Sequence, residues 1–272
     1  MLTRPIPASG EALPVVGCGT YLGFDRSPGG AAFDALQGVL AALFAAGGSV
    51  VDSSPMYGKA EAAVGRLLEE GGTRGRAFLA TKVWTTGRAA GWRQMEESLR
   101  LLRAQRQDLL QVHNLVDWRN QLASLRQWKE AGRVRYLGIT HYTESAFAEV
   151  EAVLRSEPLD FLQINYSVQE REAARRLLPL AAERGVAVLV NRPFGGGGLM
   201  WRLRARALPA WAAEIGCTSW SQLLLKFVLA QPAVTCVIPG SGSPAHMAQN
   251  AAAGEGGMPG AAFWADKLDA FS

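Results

Sequence analysis

Residues 109–139 read LLQVHNLVDWRNQLASLRQWKEAGRVRYLGI. An apolar run, Leu109–His113, ends in histidine. A longer segment, Asn120–Ala131, carries apolar residues at helical spacing and is followed by Gly132; a second apolar run, Tyr136–Ile139, comes next. Such short runs suit buried strands, and the segment between them suits a helix closed by glycine. Strand, crossover helix and strand make a parallel pair. Outward from this unit the alternation repeats. Candidate strands at Val15–Gly19, Ser49–Asp52 and Phe78–Lys82 precede it, and Phe161–Asn165, Ala187–Val190 and Thr235–Ile238 follow, which makes eight. Helical spacing fills the intervals at Ala31–Ala46, Glu61–Glu70, Gly91–Arg103, Ser145–Ser156, Glu172–Arg184 and Ser219–Ala230, and further helices are expected at Pro244–Ala252 and Ala261–Ala270. An interior proline costs a helix roughly 3 kcal/mol, so Pro179 is expected to open a second helical piece or kink the Glu172–Arg184 segment. Gly195–Gly198 reads as a flexible loop.

Eight such units in 272 residues predict an α/β fold, a (β/α)8 TIM barrel with additional C-terminal helices. No linker, charge run or composition shift marks a boundary. Residues 1–272 are therefore expected to form one barrel domain, with an N-terminal segment 1–14 and a C-terminal helical tail from about 244 to 272. A chain of this size buries about 70% of its unfolded surface, and 49% hydrophobic with 19% charged residues excludes disorder and coiled coil. The net charge of +4 comes from scattered arginines, so no nucleic-acid partner is expected. Cys18, Cys217 and Cys236 form no CxxC, which argues against a disulfide framework or a zinc cluster and for a reducing compartment. The opening MLTRPIPASGEALP has no signal-like apolar core, and no apolar run reaches about 18 residues, so a cytoplasmic protein without membrane contact is expected.

Barrel chemistry gathers at the C-terminal ends of the strands. Those ends are polar here: Asp52, Lys82, His113, Thr140-His141, and Gln163 with Asn165. Singly, each has an ordinary explanation, such as an Asx turn for Asp52 or a snorkelling lysine for Lys82. Lys82, however, leaves a strand that should be buried, and a buried cation needs a partner such as Asp52. Tyr57, five residues after Asp52, is placed to turn back over the barrel mouth.

These residues carry a resemblance. The chain resembles the aldo-keto reductase family in Asp52-x-x-x-x-Tyr57-Gly58 with Glu61 and Val64-Gly65, in Thr81-Lys82-Val83-Trp84, and in Gln111-Val112-His113. The likeness continues through Gly132-x-Val134-Arg135-x-Leu137-Gly138-Ile139, Gln163-x-Asn165-Tyr166-Ser167 and Val237-Ile238-Pro239-Gly240, in order from about residue 13 to 250. The resemblance implies a metal-free, NAD(P)H-dependent oxidoreductase, of carbonyl reductase or alcohol dehydrogenase type, that reduces aldehydes or ketones to alcohols. Tyr57 would be the general acid, its phenol lowered from about 10 by the Lys82 ammonium, with Asp52 orienting Lys82 and His113 polarising the carbonyl. By the same resemblance the cofactor, NADPH by default with NADH as the alternative, lies along Gly19, Thr20, Tyr21, Asp52, Thr140, His141 and Gln163. Asn191, Arg192, Pro193 and Phe194 follow the seventh strand, with Asn191 where the family often has a stacking tyrosine. Gly240, Ser241, Gly242, His246, Gln249 and Asn250 take the phosphate end, where Ser243 and Pro244 open a helix and Gly240 and His246 replace the usual Lys and Arg. Trp84 is expected to wall the substrate pocket. The partner implied is a small-molecule carbonyl compound, the oligomeric state a monomer, and the short loops an open mouth of broad selectivity. Two other readings are a nucleotide-binding regulatory subunit resembling potassium-channel-associated barrels, and an aldolase with Lys82 as Schiff-base nucleophile.

Overall fold

The computed structural model describes residues 1–271. An antiparallel hairpin comes first, β1 (Thr3–Pro5) and β2 (Ala12–Pro14). Eight parallel strands follow: β3 (Cys18–Gly19), β4 (Val50–Asp52), β5 (Phe78–Val83), β6 (Gln107–His113), β7 (Val134–Thr140), β8 (Phe161–Asn165), β9 (Ala187–Asn191) and β10 (Val234–Val237). Each pairs with the next in sequence, and bridges Val16 to Val237 and Gly19 to Gly240 join the first strand to the last. The sheet thus closes into the expected barrel. Gly19 is required at the seam, because a Cβ there would lie 2.9 Å from the Ile238 carbonyl oxygen.

The helices are α1 (Ala31–Ala45), α2 (Ala60–Glu70), α3 (Arg88–Leu101), α4 (Trp118–Glu130), α5 (Phe147–Ser156), α6 (Leu177–Glu183), α7 (Gly198–Leu203), α8 (Trp220–Leu229), α9 (Pro244–Ala252) and α10 (Ala261–Trp264). Pro179 falls in the first turn of α6, after a separate 3-10 turn at Glu172–Ala174, where its missing N–H costs no helical bond. Two expectations need correction. Gly195–Gly198 is not an open loop but a 3-10 turn leading into α7, with Gly196 and Gly197 at φ 77° and 98°. The final helix is shorter than Ala261–Ala270: α10 stops at Trp264 and a 3-10 turn, Leu268–Phe271, follows. An aromatic cluster, Trp211, Trp220, Phe227, Phe263, Trp264 and Phe271, with ring centroids 5.2–6.5 Å apart, docks this segment on α8.

Strand side chains alternate between two cores. Leu79, Val83, Leu110, Val112, Leu162, Ile164, Val188 and Val190 face the helices. Phe78, Ala80, Leu109, Tyr136, Phe161, Ala187 and Leu189 fill the barrel interior. The same inward parity carries Asp52, Lys82, Gln111, His113, Thr140, Gln163 and Asn191 to the C-terminal end, so one alternation builds both the core and the polar mouth. The opposite end is closed by the hairpin, which was expected only as an N-terminal segment. Ile6 and Leu13 enter the interior core, and Arg4 donates to the carbonyls of Leu229 (2.6 Å), Gln231 (3.0 Å) and Val234. Ile6 is fully buried at that floor, so Ile6→Ala should lower stability by about 2–5 kcal/mol, read as a shift of the urea midpoint at constant m.

Candidate active site

Asp52 is the last residue of β4 and Lys82 the fifth of β5, and the β4–β5 register sets Asp52 opposite Ala80, so both side chains enter the mouth from adjacent strands. Lys82 Nζ donates to both Asp52 carboxylate oxygens at 2.8 Å and to the Ser53 carbonyl at 2.7 Å. Three acceptors require three N–H bonds, so the lysine is an ammonium. Burial pushes the Asp52 carboxyl up and the Lys82 ammonium down, and each opposite charge pulls back the other way. Gln163 Nε2 reaches Asp52 at 3.5 Å and is itself held by Gln111 Nε2, which donates to Gln163 Oε1 at 2.8 Å. Lys82 is fully buried with every N–H engaged, which leaves no free lone pair for the Schiff-base reading.

Tyr57 reaches the mouth through a turn. The chain leaves β4 as Ser53-Ser54-Pro55-Met56-Tyr57; the Tyr57 N–H donates to the Ser54 carbonyl at 3.0 Å and the Met56 N–H to Ser54 Oγ at 3.3 Å, with Pro55 presetting φ at the second position. The Tyr57 ring lies 5.3 Å from Lys82 Nζ, 5.0 Å from the Tyr21 ring and 5.9 Å, edge-on, from His113. The expected lowering of its phenol by Lys82 is not found. Burial and then the Asp52 carboxylate push the Tyr57 hydroxyl up, because the Lys82 charge is matched at 2.8 Å by that same carboxylate. His113 accepts or donates through Nδ1 to Ser54 Oγ at 3.0 Å. Burial, with Lys82 and His141 adding, lowers its imidazole to about 3, so it is neutral at pH 7.

Over these groups opens a cleft of about 350 Å³. Of the sequence-predicted residues, Gly19, Thr20, Tyr21, Asp52, Tyr57, His113, Thr140, Gln163, Asn191, Arg192, Pro193, Phe194 and Gly240 line it. Lys82 lies beneath. His141 is not on the wall: its Nδ1 accepts from the N–H groups of Tyr142 (3.0 Å) and Thr143 (3.3 Å), within its own loop. Ser241, Gly242, His246, Gln249 and Asn250 lie beyond the cleft, on the loop after β10 and on α9. There Ser241 Oγ and Ser243 bond each other, and Ser243 Oγ caps the helix at the His246 N–H. Trp84 is exposed at the rim, its ring 6.4 Å from that of His113. Sequence reasoning missed Met56, Asn114, Tyr142, Gly196, Gly197 and Ile238 on the wall, and Ser54 behind it. Ser54-Pro55 was a readable turn signal; the others lie on loops whose course no periodicity reports.

Among the described residues no cluster of His, Cys, Asp and Glu is arranged to hold a metal, and no helix is long and apolar enough to cross a membrane. The family model for the aldo/keto reductase family matches residues 16–258. The chain belongs to the aldo/keto reductase family. An aldo-keto reductase of Strobilurus tenacellus is 28% identical over 257 residues, covering 79% of this chain and 75% of that one. Aldo-keto reductase YhdN of Bacillus subtilis is 29% identical over 157 residues, 52% of this chain and 46% of its own length, so the match spans about half of that relative. A Klebsiella pneumoniae aldo-keto reductase solved in complex with NADPH superposes with a TM-score of 0.82 at 25% identity, covering 99% of this chain and 95% of that one.

Two outcomes follow for this aldo/keto reductase. Asp52→Asn leaves a buried ammonium unmatched and should cost about 3–5 kcal/mol of stability, whereas the double variant Asp52→Leu/Lys82→Met should cost far less, by urea unfolding. His113 is held neutral from its ordinary 6.5 down to about 3, so the unfolded chain binds the extra proton in that window. This group's contribution to stability is therefore complete above pH 6.5 and falls as the pH drops, by up to about 1.4 kcal/mol per pH unit. His113→Gln should flatten the slope accordingly.

Proposed function

We propose that this aldo/keto reductase reduces aldehydes or ketones to alcohols with NADPH, with Tyr57 as proton donor. The observation that carries the reading is the stacking of an Asp52–Lys82 ion pair beneath Tyr57 and His113 at the floor of one cleft. The cleft residues suit a nicotinamide nucleotide. Asn191 Oδ1 is a buried acceptor without a protein partner while its Nδ2 donates to the His141 carbonyl at 3.0 Å, which fits a carboxamide N–H. Gly19 and Gly240 leave bare backbone along the wall, and Arg192 supplies a cation there. Thr20, Tyr21, Thr140, Gln163, Pro193 and Phe194 would complete the nicotinamide half. Ser241, Gly242, Gln249, Asn250 and the capped start of α9 would take the phosphate end. The NADPH of the K. pneumoniae structure supports that choice. Between Gly240 and Asn250 there is no Lys or Arg, with His246 the single basic side chain, which favours acceptance of NADH as well.

When bound, the nucleotide supplies the hydride. Reduction leaves negative charge on the substrate oxygen, and the protein must receive it. His113, neutral and hydrogen-bonded at Nδ1, orients and polarises the carbonyl. Tyr57 Oη gives up its proton to the developing alkoxide, a far stronger base than phenolate, so a phenol held high by burial is still acidic enough while remaining fully protonated at neutral pH. Lys82, held 5.3 Å from the ring by Asp52, offsets part of the penalty that burial and the Asp52 carboxylate set on the phenolate that forms. The rim is apolar: Tyr21, Met56, Trp84 and Tyr142 are exposed large hydrophobic side chains around the cleft, so the substrates expected to be best carry an aromatic or apolar group beside the carbonyl.

NADPH oxidation across an aldehyde and ketone panel tests the function. Tyr57→Phe should lose about 100-fold or more in kcat while still quenching on NADPH titration; a fully active Tyr57→Phe would remove Tyr57 from the mechanism. A regulatory nucleotide-binding role would show instead as tight NADPH binding with no turnover on any carbonyl.

A further inference from the structure

We propose that Ser54 is a positioning residue that fixes the tautomer of His113: its hydroxyl donates to Nδ1 and leaves the single imidazole proton on Nε2, the nitrogen free to meet a carbonyl oxygen. The assignment rests on the reading of His113 as the group that orients the substrate.

Ser54 is fully buried, and its Oγ has two neighbours, the Met56 N–H at 3.3 Å and His113 Nδ1 at 3.0 Å. The Met56 N–H can only donate, so it occupies a lone pair of Oγ. The hydroxyl proton then has one acceptor among the described residues, His113 Nδ1. The opposite arrangement, Nδ1–H donating to Oγ, strands the buried serine proton without a partner. It would also turn the Nε2 lone pair toward the substrate oxygen, where two acceptors repel. Burial keeps His113 neutral at pH 7, so it carries one ring proton and the two tautomers are true alternatives. Nε2 makes no hydrogen bond among the described residues.

Ser54 also ties the second donor to the first. Its carbonyl accepts the Tyr57 N–H at 3.0 Å, so the residue that sets the His113 proton also closes the turn that brings Tyr57 over the mouth. That turn bond is made by the Ser54 backbone; the side chain adds the bonds to the Met56 N–H and to His113, which a short hydroxyl residue can make together.

The test reads the ring nitrogens of the full-length, 15N-labelled protein by long-range 1H–15N correlation, with His113 identified by loss of its signals in His113→Gln. Wild type should show an unprotonated Nδ1 and a protonated Nε2 throughout pH 6–8. Ser54→Ala should abolish that fixed pattern and Ser54→Thr should restore it. In turnover with an aromatic aldehyde, Ser54→Ala should lose about tenfold in kcat with an unchanged KM for NADPH, and Ser54→Thr should recover most of it. A protonated Nδ1 in wild type overturns the proposal, as does an unaltered His113 pattern in Ser54→Ala. The wild-type spectrum alone decides if either variant does not fold. A protein inactive on every carbonyl defeats the reductase reading, while the spectrum still reports on Ser54.

Discussion

The ion pair of Asp52 and Lys82 is the constraint around which the mouth of the barrel is arranged. Two charges removed from water lose hydration that only close, saturated hydrogen bonding replaces. Here the ammonium has three acceptors and the carboxylate has Lys82 and Gln163, which in turn is held by Gln111. That requirement ties β4, β5, β6 and β8 together at one level. It also dictates the loop after β4: the Ser53 carbonyl must point at Nζ, and the chain then has only the short Ser54–Tyr57 turn in which to reverse. Tyr57 arrives over the lysine as a consequence.

The barrel makes such a pair affordable in a limited place. Below it the interior is closed by Phe78, Tyr136 and Phe161, with ring centroids 5.5–6.1 Å apart, and by the hairpin residues Ile6 and Leu13. Above it the cleft opens at the C-terminal side. Polar residues follow the same boundary, since the inward positions of β6 pass from Leu109 through Gln111 to His113 as the strand approaches the mouth. A single two-residue period therefore sorts apolar floor, amide layer and polar rim.

That period is why so much was legible in the sequence. Phe161–Asn165 and Pro244–Ala252 have the bounds read from the residues, and the other strands differ by one to three positions. Asp52, His113, Thr140 and Gln163 fell on the cleft because closure of a parallel barrel brings all strand ends to one rim. What escaped notice lacks a period. The hairpin strands have three residues each and two prolines, and α7 begins in a run of glycines that by local propensity is a loop. The tail helix is cut short because Trp264 and Phe271 turn inward onto Phe227, a tertiary preference invisible in local spacing. His141 illustrates a further gap: its position after β7 was readable, but its ring is drawn to the backbone of its own loop.

The phenol of Tyr57 shows where inference from residue types alone goes astray. A lysine beside a tyrosine suggests a lowered phenol, yet an ammonium bonded at 2.8 Å to a carboxylate presents a nearly cancelled charge to a ring 5.3 Å away. Burial then decides, and the proton is held more firmly than in water. For a hydrolase that needed a phenolate this would be a defect. For the carbonyl reduction proposed above it would be suitable, because a general acid must be protonated when substrate enters and need yield only to an alkoxide. Any stabilisation of the phenolate by Lys82 and any penalty from Asp52 enter the acidity of Tyr57 together, and with burial leading, the balance falls on the protonated phenol.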